Sequence, residues 1–124
     1  MNTQADRIRI DVQTRYLAEQ SDKLHHAFSY HITISNLGDR PVQLLDRHWI
    51  ITDGNGTIQE VRGPGVVGEQ PMIAPGASHS YSSGCQLETP VGSMRGSYGM
   101  RCDSGELFRV EIPLFRLSKP NALN

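Results

Sequence analysis

The placement of glycine and proline constrains this chain more than any other feature. No glycine or proline precedes Gly38, and eleven of the twelve glycines fall between Gly54 and Gly105. Helices of ordinary length do not survive such punctuation, because an interior glycine costs about 1 kcal/mol and an interior proline about 3 kcal/mol. Short extended segments joined by turns are the arrangement that remains. The chain has 124 residues and is 37% hydrophobic, enough to build one core and too apolar to stay disordered.

Local alternation supports the same conclusion. Arg7-Ile8-Arg9-Ile10-Asp11-Val12-Gln13 has the period of a half-buried strand. Phe28, Tyr30, Ile32 and Ile34 share one face of a second strand, followed by the turn cluster Asn36-Leu37-Gly38-Asp39-Arg40-Pro41. A third strand, 42–53, carries the single Trp49 at an expected core position and runs into the hairpin signal Asp53-Gly54-Asn55-Gly56. A fourth spans 57–62 and stops at Gly63-Pro64-Gly65. The least regular stretch, 63–76, ends in Pro75-Gly76, which suits the centre of a type II turn. Strands resume at 78–83, breaking at Gly84. Met94, Gly96, Tyr98, Met100 and Cys102 then alternate with polar residues, and Phe108, Val110 and Ile112 share a face of the last strand. A polar tail, 118–124, is expected to fray.

These segments predict an all-β single domain over 1–124, with strands over about 6–117. The architecture expected is an immunoglobulin-like or fibronectin type III-like β-sandwich of seven to eight antiparallel strands. A small barrel is the alternative. Both cysteines follow Trp49, so the chain lacks the Cys…Trp…Cys order of antibody domains.

Charge and cysteine content narrow the function classes. A formal net charge of −1 and alternating signs give no footprint for nucleic acid, although ten of the twelve cations are Arg. The longest apolar runs, such as Trp49-Ile50-Ile51, are far short of the ~20 residues of a membrane span. The start, Met1-Asn2-Thr3-Gln4-Ala5-Asp6, has no signal-peptide order, so a cytoplasmic location with Cys85 and Cys102 reduced is expected. In that setting the sequon Asn55-Gly56-Thr57 has no meaning.

One string imitates a nucleotide loop. Gly63-Pro64-Gly65-Val66-Val67-Gly68 reads G-x-G-x-x-G, but Pro71 and Pro75 follow too closely for the helix that a dinucleotide site requires. What survives is a candidate anion or pyrophosphate loop of Gly63, Gly65 and Gly68, with Arg62 attracting phosphate and Glu69 repelling it. A structural crossover between sheets is the other account of those glycines. The five histidines show no HxH or HxxxH spacing and are expected at the surface. With no DxD cluster either, no metal ligand and no cofactor is assigned. Gly92-Ser93-Met94-Arg95-Gly96 places its serine one position early for a nucleophile elbow, and no catalytic residue is assigned, so the chain is expected not to be an enzyme.

Several longer strings carry a family resemblance. They are Pro41-Val42-Gln43-Leu44-Leu45-x-Arg47-x-Trp49, Gly63-x-Gly65-Val66-Val67-Gly68-x-Gln70-Pro71 and Ile73-x-Pro75-Gly76. They continue with Tyr81-x-Ser83-Gly84, Thr89-Pro90-x-Gly92-x-Met94-x-Gly96-x-Tyr98 and Ile112-Pro113-x-Phe115-Arg116-Leu117. Together they resemble the ApaG family over essentially the whole chain. The resemblance implies a fibronectin type III or immunoglobulin-like sandwich and an association with cobalt resistance and magnesium efflux. It also implies a gene neighbourhood with a diadenosine tetraphosphate hydrolase. Similar domains in an F-box substrate receptor and a polymerase-delta-interacting protein imply protein–protein interaction. Neither cysteine and no histidine belongs to the strings, so the resemblance assigns no metal site to them. A chain without a membrane span is expected to act on efflux only indirectly, through a protein partner or a ligand such as a nucleotide or pyrophosphate.

Overall fold

The computed structural model describes residues 4–122. Eight strands follow one another: β1 (Ile8–Tyr16), β2 (His26–Asn36), β3 (Val42–Asp53), β4 (Ile58–Pro64), β5 (Met72–Ile73), β6 (Ser78–Leu87), β7 (Val91–Cys102) and β8 (Leu107–Ser118). The helical content of the described residues is two single 3₁₀ turns, at Ala5–Arg7 and Ala18–Gln20. One antiparallel sheet has the order β1-β2-β6. The other runs β4-β3-β7-β8, with β5 beside the start of β3. The chain is a two-layer β-sandwich.

Alternation places the core where the sequence predicts it. Phe28, Tyr30, Ile32 and Ile34 of β2 are buried, facing Trp49, Met94, Tyr98, Met100, Phe108 and Val110 of the opposite sheet. Trp49 is central: its ring meets Tyr30 at 5.5 Å, and Tyr98 and Phe115 edge-on at 6.2 and 5.8 Å.

Two bulges break the alternation. In β3, Leu44 pairs with Met100 and Asp46 with Gly99, so Leu45 is an extra residue. The inward side chains switch from Val42 and Leu44 to Trp49 and Ile51. In β8, Ile112 pairs with Gly96 and Phe115 with Met94, so Pro113 and Leu114 together oppose Arg95. The buried row accordingly steps from Ile112 to Leu117, with Phe115 half-buried between them.

Local expectations fail where tertiary contacts override turn chemistry. β4 runs past Arg62 through Gly63 and ends at Pro64. Gly84 does not break β6, which continues to Leu87, because β2 pairs with it along its length. The stretch 63–76 contains β5 and a tight hairpin. Pro75-Gly76 forms the type II turn: Gly76 has φ +79° and the Ala77 N–H donates to the Ala74 carbonyl at 2.9 Å. The tail is tied down as far as it is described. Ser118 pairs with Val91, and the Lys119 N–H donates to the Pro90 carbonyl at 2.8 Å. Residues 123 and 124 of the expected tail, and Met1-Asn2-Thr3 of the expected start, lie outside the described residues.

Asn36 joins several of these connections. Fully buried, it donates from Nδ2 to the carbonyls of Arg40 (2.8 Å) and Ile73 (3.0 Å) and accepts from the Gly38 N–H (3.0 Å). Sequence alone marks it only as a turn residue.

Candidate functional site

The glycine loop is a crossover with its own internal logic. Val66 and Glu69 exchange both backbone hydrogen bonds, at 2.8 and 3.1 Å, around the central pair Val67 and Gly68. Those two residues have φ +48° and +79°, the positive pair that a type I′ turn requires. Gly65, at φ +60°, passes so close to the other arm that a Cβ would lie 2.2 Å from the Glu69 carbonyl oxygen. At Gly63 a Cβ would meet the Arg47 guanidinium at 2.9 Å. Three of the loop's backbone donors are already engaged. The Gly65 N–H donates to the Leu45 carbonyl at 2.8 Å, while those of Val66 and Glu69 close the hairpin. Arg62 is exposed, 4.0 Å from Glu60.

Arg47 is the residue that the loop is built around. Its Nη1 donates to the carbonyls of Pro64 at 2.9 Å and Gly65 at 3.0 Å. The bulge at Leu45 turns it inward with Trp49, and it is the one arginine of the chain that is not exposed. It stands at the mouth of a gap between the sheets, where β4 and β6 diverge. A cavity of about 330 Å³ there is lined by Tyr30, Arg47, Trp49, Val61, Ser83 and Cys85. A second, of about 220 Å³, continues along β6 and shares Ile51, Gln59 and Gln86 with the first.

Around Arg47 the walls of this gap are polar and aromatic. The hydroxyls of Tyr81 and Tyr98 hydrogen-bond each other in the interior beneath it. Burial pushes the hydroxyl of Tyr81 well above the ordinary tyrosine range, a hydrogen bond to Tyr98 and the Arg47 cation pulling the other way. Tyr98 is raised still further by burial and by its tyrosine neighbours. Tyr30 is raised by burial, offset in part by its hydrogen bond with Ser83 and by Arg47. Burial pushes the Cys85 thiol up to about 11. These groups stay protonated at neutral pH, so the gap offers hydroxyls, a thiol, amides, ring faces and one cation.

The histidines do not converge. His31, bonded to Ser82 at 2.8 Å, is exposed, whereas His26 is buried against the Tyr16 hydroxyl at 3.0 Å. That burial corrects the expectation of five surface histidines: strand β2 begins at His26, whose inward side chain is capped by β1. His48 reaches Glu60 at 3.2 Å on the outer face of the second sheet. On the same face Arg109 holds Ser97 at 3.1 Å and Asp46 at 2.9 Å. Both cysteines are free thiols. Among the described residues no three His, Cys, Asp or Glu side chains are grouped to hold a metal ion, and no helix is long and apolar enough to cross a membrane.

Comparison with known proteins places these features in a family. The family model described as the ApaG domain matches residues 17–102. Protein ApaG of Pseudomonas aeruginosa PAO1 is 56% identical over 126 aligned positions, covering 100% of both chains. Among solved structures, a structural-genomics target determined by X-ray crystallography has a TM-score of 0.91 at 49% identity, covering 96% of this chain and 92% of its own. A Bordetella pertussis protein described as ApaA has a TM-score of 0.90 at 47% identity, covering 93% of this chain and 95% of its own.

Proposed function

The chain belongs to the ApaG domain family, and from that premise we propose that it is a non-enzymatic protein-interaction module with an accessory role in Co²⁺ and Mg²⁺ homeostasis in the cytoplasm. The single observation that supports interaction is the gap between β4 and β6. It sets the half-buried Arg47 beside the exposed, uncharged stretch 82–86 of β6 at an opening of the sandwich, and arginine is among the residue types enriched at interfaces. The cation role comes from the family resemblance alone. A fibronectin type III-like label belongs to the same proposal, and the order β1-β2-β6 against β4-β3-β7-β8 supports it.

Affinity capture with the full chain as bait tests the interaction. A partner should be recovered reproducibly and be absent when an unrelated β-sandwich is the bait. Deleting the gene should lower cobalt tolerance, and a copy unable to hold the partner should fail to restore it. Repeated capture of nothing specific would end this reading. Calorimetry with ATP, pyrophosphate and diadenosine tetraphosphate is the complementary measurement. Binding heat that disappears in Arg62→Ala would favour an anion loop at Gly63, Gly65 and Gly68 instead.

A further inference from the structure

Sheet edges separate one strand of this molecule from the rest. β1 and β6 form the margins of the first sheet, and β4 and β8 the long margins of the second. An exposed edge invites pairing with another chain, and natural proteins blunt it with charge, proline or a bulge. β1 carries Arg9, Asp11 and Arg15, and β4 carries Glu60, Arg62 and Pro64. β8 has Arg109, Glu111 and Arg116, with Pro113 in its bulge. The ten residues of β6, Ser78–Leu87, include no charged side chain and no proline. Its first part is screened by the crossover, where Glu69 lies 3.8 Å from His79. From Ser82 to Gln86 the strand is open, and the gap between the sheets runs beside it.

The charge of that gap identifies its occupant. Arg47 faces into it, and among the described residues no carboxylate lies within 4.0 Å of the guanidinium. The neighbouring cavity, by contrast, is lined by Asp53 and Glu88. Alternate residues of an added strand point to the same side. We propose that β6 accepts an extended segment of another protein as a further strand. That segment carries one Asp or Glu directed at Arg47 and a neutral or apolar residue four positions away, over Ile51 and Leu87. A second copy of this chain fits poorly. Its own β6 has no carboxylate to offer, so self-pairing would cover Arg47 without a counter-charge. The proposal rests on the interaction-module reading and specifies its surface.

The test is selection of random nonapeptides displayed against the full chain. Enriched peptides should carry one acidic residue four positions from a neutral or apolar one. A synthetic Glu peptide should bind roughly tenfold more tightly than its Gln counterpart, as a charge-assisted hydrogen bond warrants. That difference should vanish in Arg47→Gln. Ser83→Lys, which leaves Arg47 and its loop contacts in place, should weaken both peptides. Amide resonances should shift at 82–87. No enrichment, no acidic preference, an unchanged preference in Arg47→Gln, or shifts mapping to β1 or β8 would overturn the proposal. So would concentration-dependent dimerisation abolished by Ser83→Lys, which would give the edge to a second copy. A captured partner cross-linking elsewhere would remove the β6 assignment while leaving the interaction module standing.

Discussion

Val67→Asn should stabilise this protein, although it removes an apolar side chain. Val67 occupies the first central position of the type I′ turn at φ +48°. Branching at Cβ makes that conformation a steric outlier, with a penalty of about 1–2 kcal/mol relative to ordinary backbone. Asparagine tolerates it far better, and Asn-Gly is the preferred pair for this turn. The loss on the other side is small. Val67 is 63% exposed, so it realises only about a third of the ~1.5 kcal/mol that full burial of valine provides, or roughly 0.5 kcal/mol. The net gain is about 1 kcal/mol, which at this chain length raises Tm by roughly 3–5 °C. Val67→Gly separates the contributions. It relieves the same strain but adds freedom to the unfolded chain, so its stability should fall close to that of the parent. Urea unfolding of the three proteins, followed by tryptophan fluorescence from the buried Trp49, gives the ranking. A lower midpoint for Val67→Asn, or a Val67→Gly more stable than Val67→Asn, would refute the account of this hairpin as a strained structural turn.

Three further outcomes follow from named contacts. Gly65→Ala should destabilise by about 3 kcal/mol, since its Cβ would stand 2.2 Å from the Glu69 carbonyl oxygen at a positive φ. The mechanism is forced opening of a two-bond hairpin plus a backbone penalty, and a urea midpoint within error of the parent would contradict it. Asn36→Leu should lower stability by roughly 3 kcal/mol by orphaning two carbonyls and an N–H in the interior. A loss below about 1 kcal/mol would show that water replaces the amide. On the alkaline side, Cys85 and the three buried tyrosines have raised folded pKa values. Their contribution is fully present below the unfolded pKa values and lost as pH rises above them, starting near the ordinary thiol value of 9.0. Urea midpoints should therefore decline above that pH, and Cys85 alkylation in native protein should accelerate about tenfold per pH unit from 7 to 9.5. A rate that levels off with its midpoint near 9.0 would mean an unperturbed thiol.

Much of the fold was legible because period-two alternation is a local property. The rows Phe28, Tyr30, Ile32, Ile34 and Met94, Tyr98, Met100 lie in the core as their spacing predicts. Gly76, fixed by its backbone angle, lies in the turn that its sequence predicts. Less of the candidate site was legible. The G-x-G-x-x-G string marks the loop that Arg47 holds, and three of its backbone donors, those of Gly65, Val66 and Glu69, are engaged by Leu45 and by the loop itself. Arg47 and Trp49 stand in the strings that carry the resemblance, and their spacing of two puts them on one face, but Val42 and Leu44 count to the opposite face. The bulge at Leu45 turns both pairs inward, and a bulge depends on a partner strand more than forty residues away in the chain.

By itself, the sequence determined the class of structure: beyond Gly38 glycine and proline forbid long helices, and alternation assigns each strand a wet and a dry face. It also set the near-balanced charge, 12 basic against 13 acidic side chains. Tertiary structure alone decided why the loop glycines are glycines, that His26 is buried, that Asn36 ties several connections together, and that β6 is the unguarded edge. Those are matters of close approach and of which strand lacks a neighbour. They arise between segments distant in sequence and leave no period for a local pattern to record.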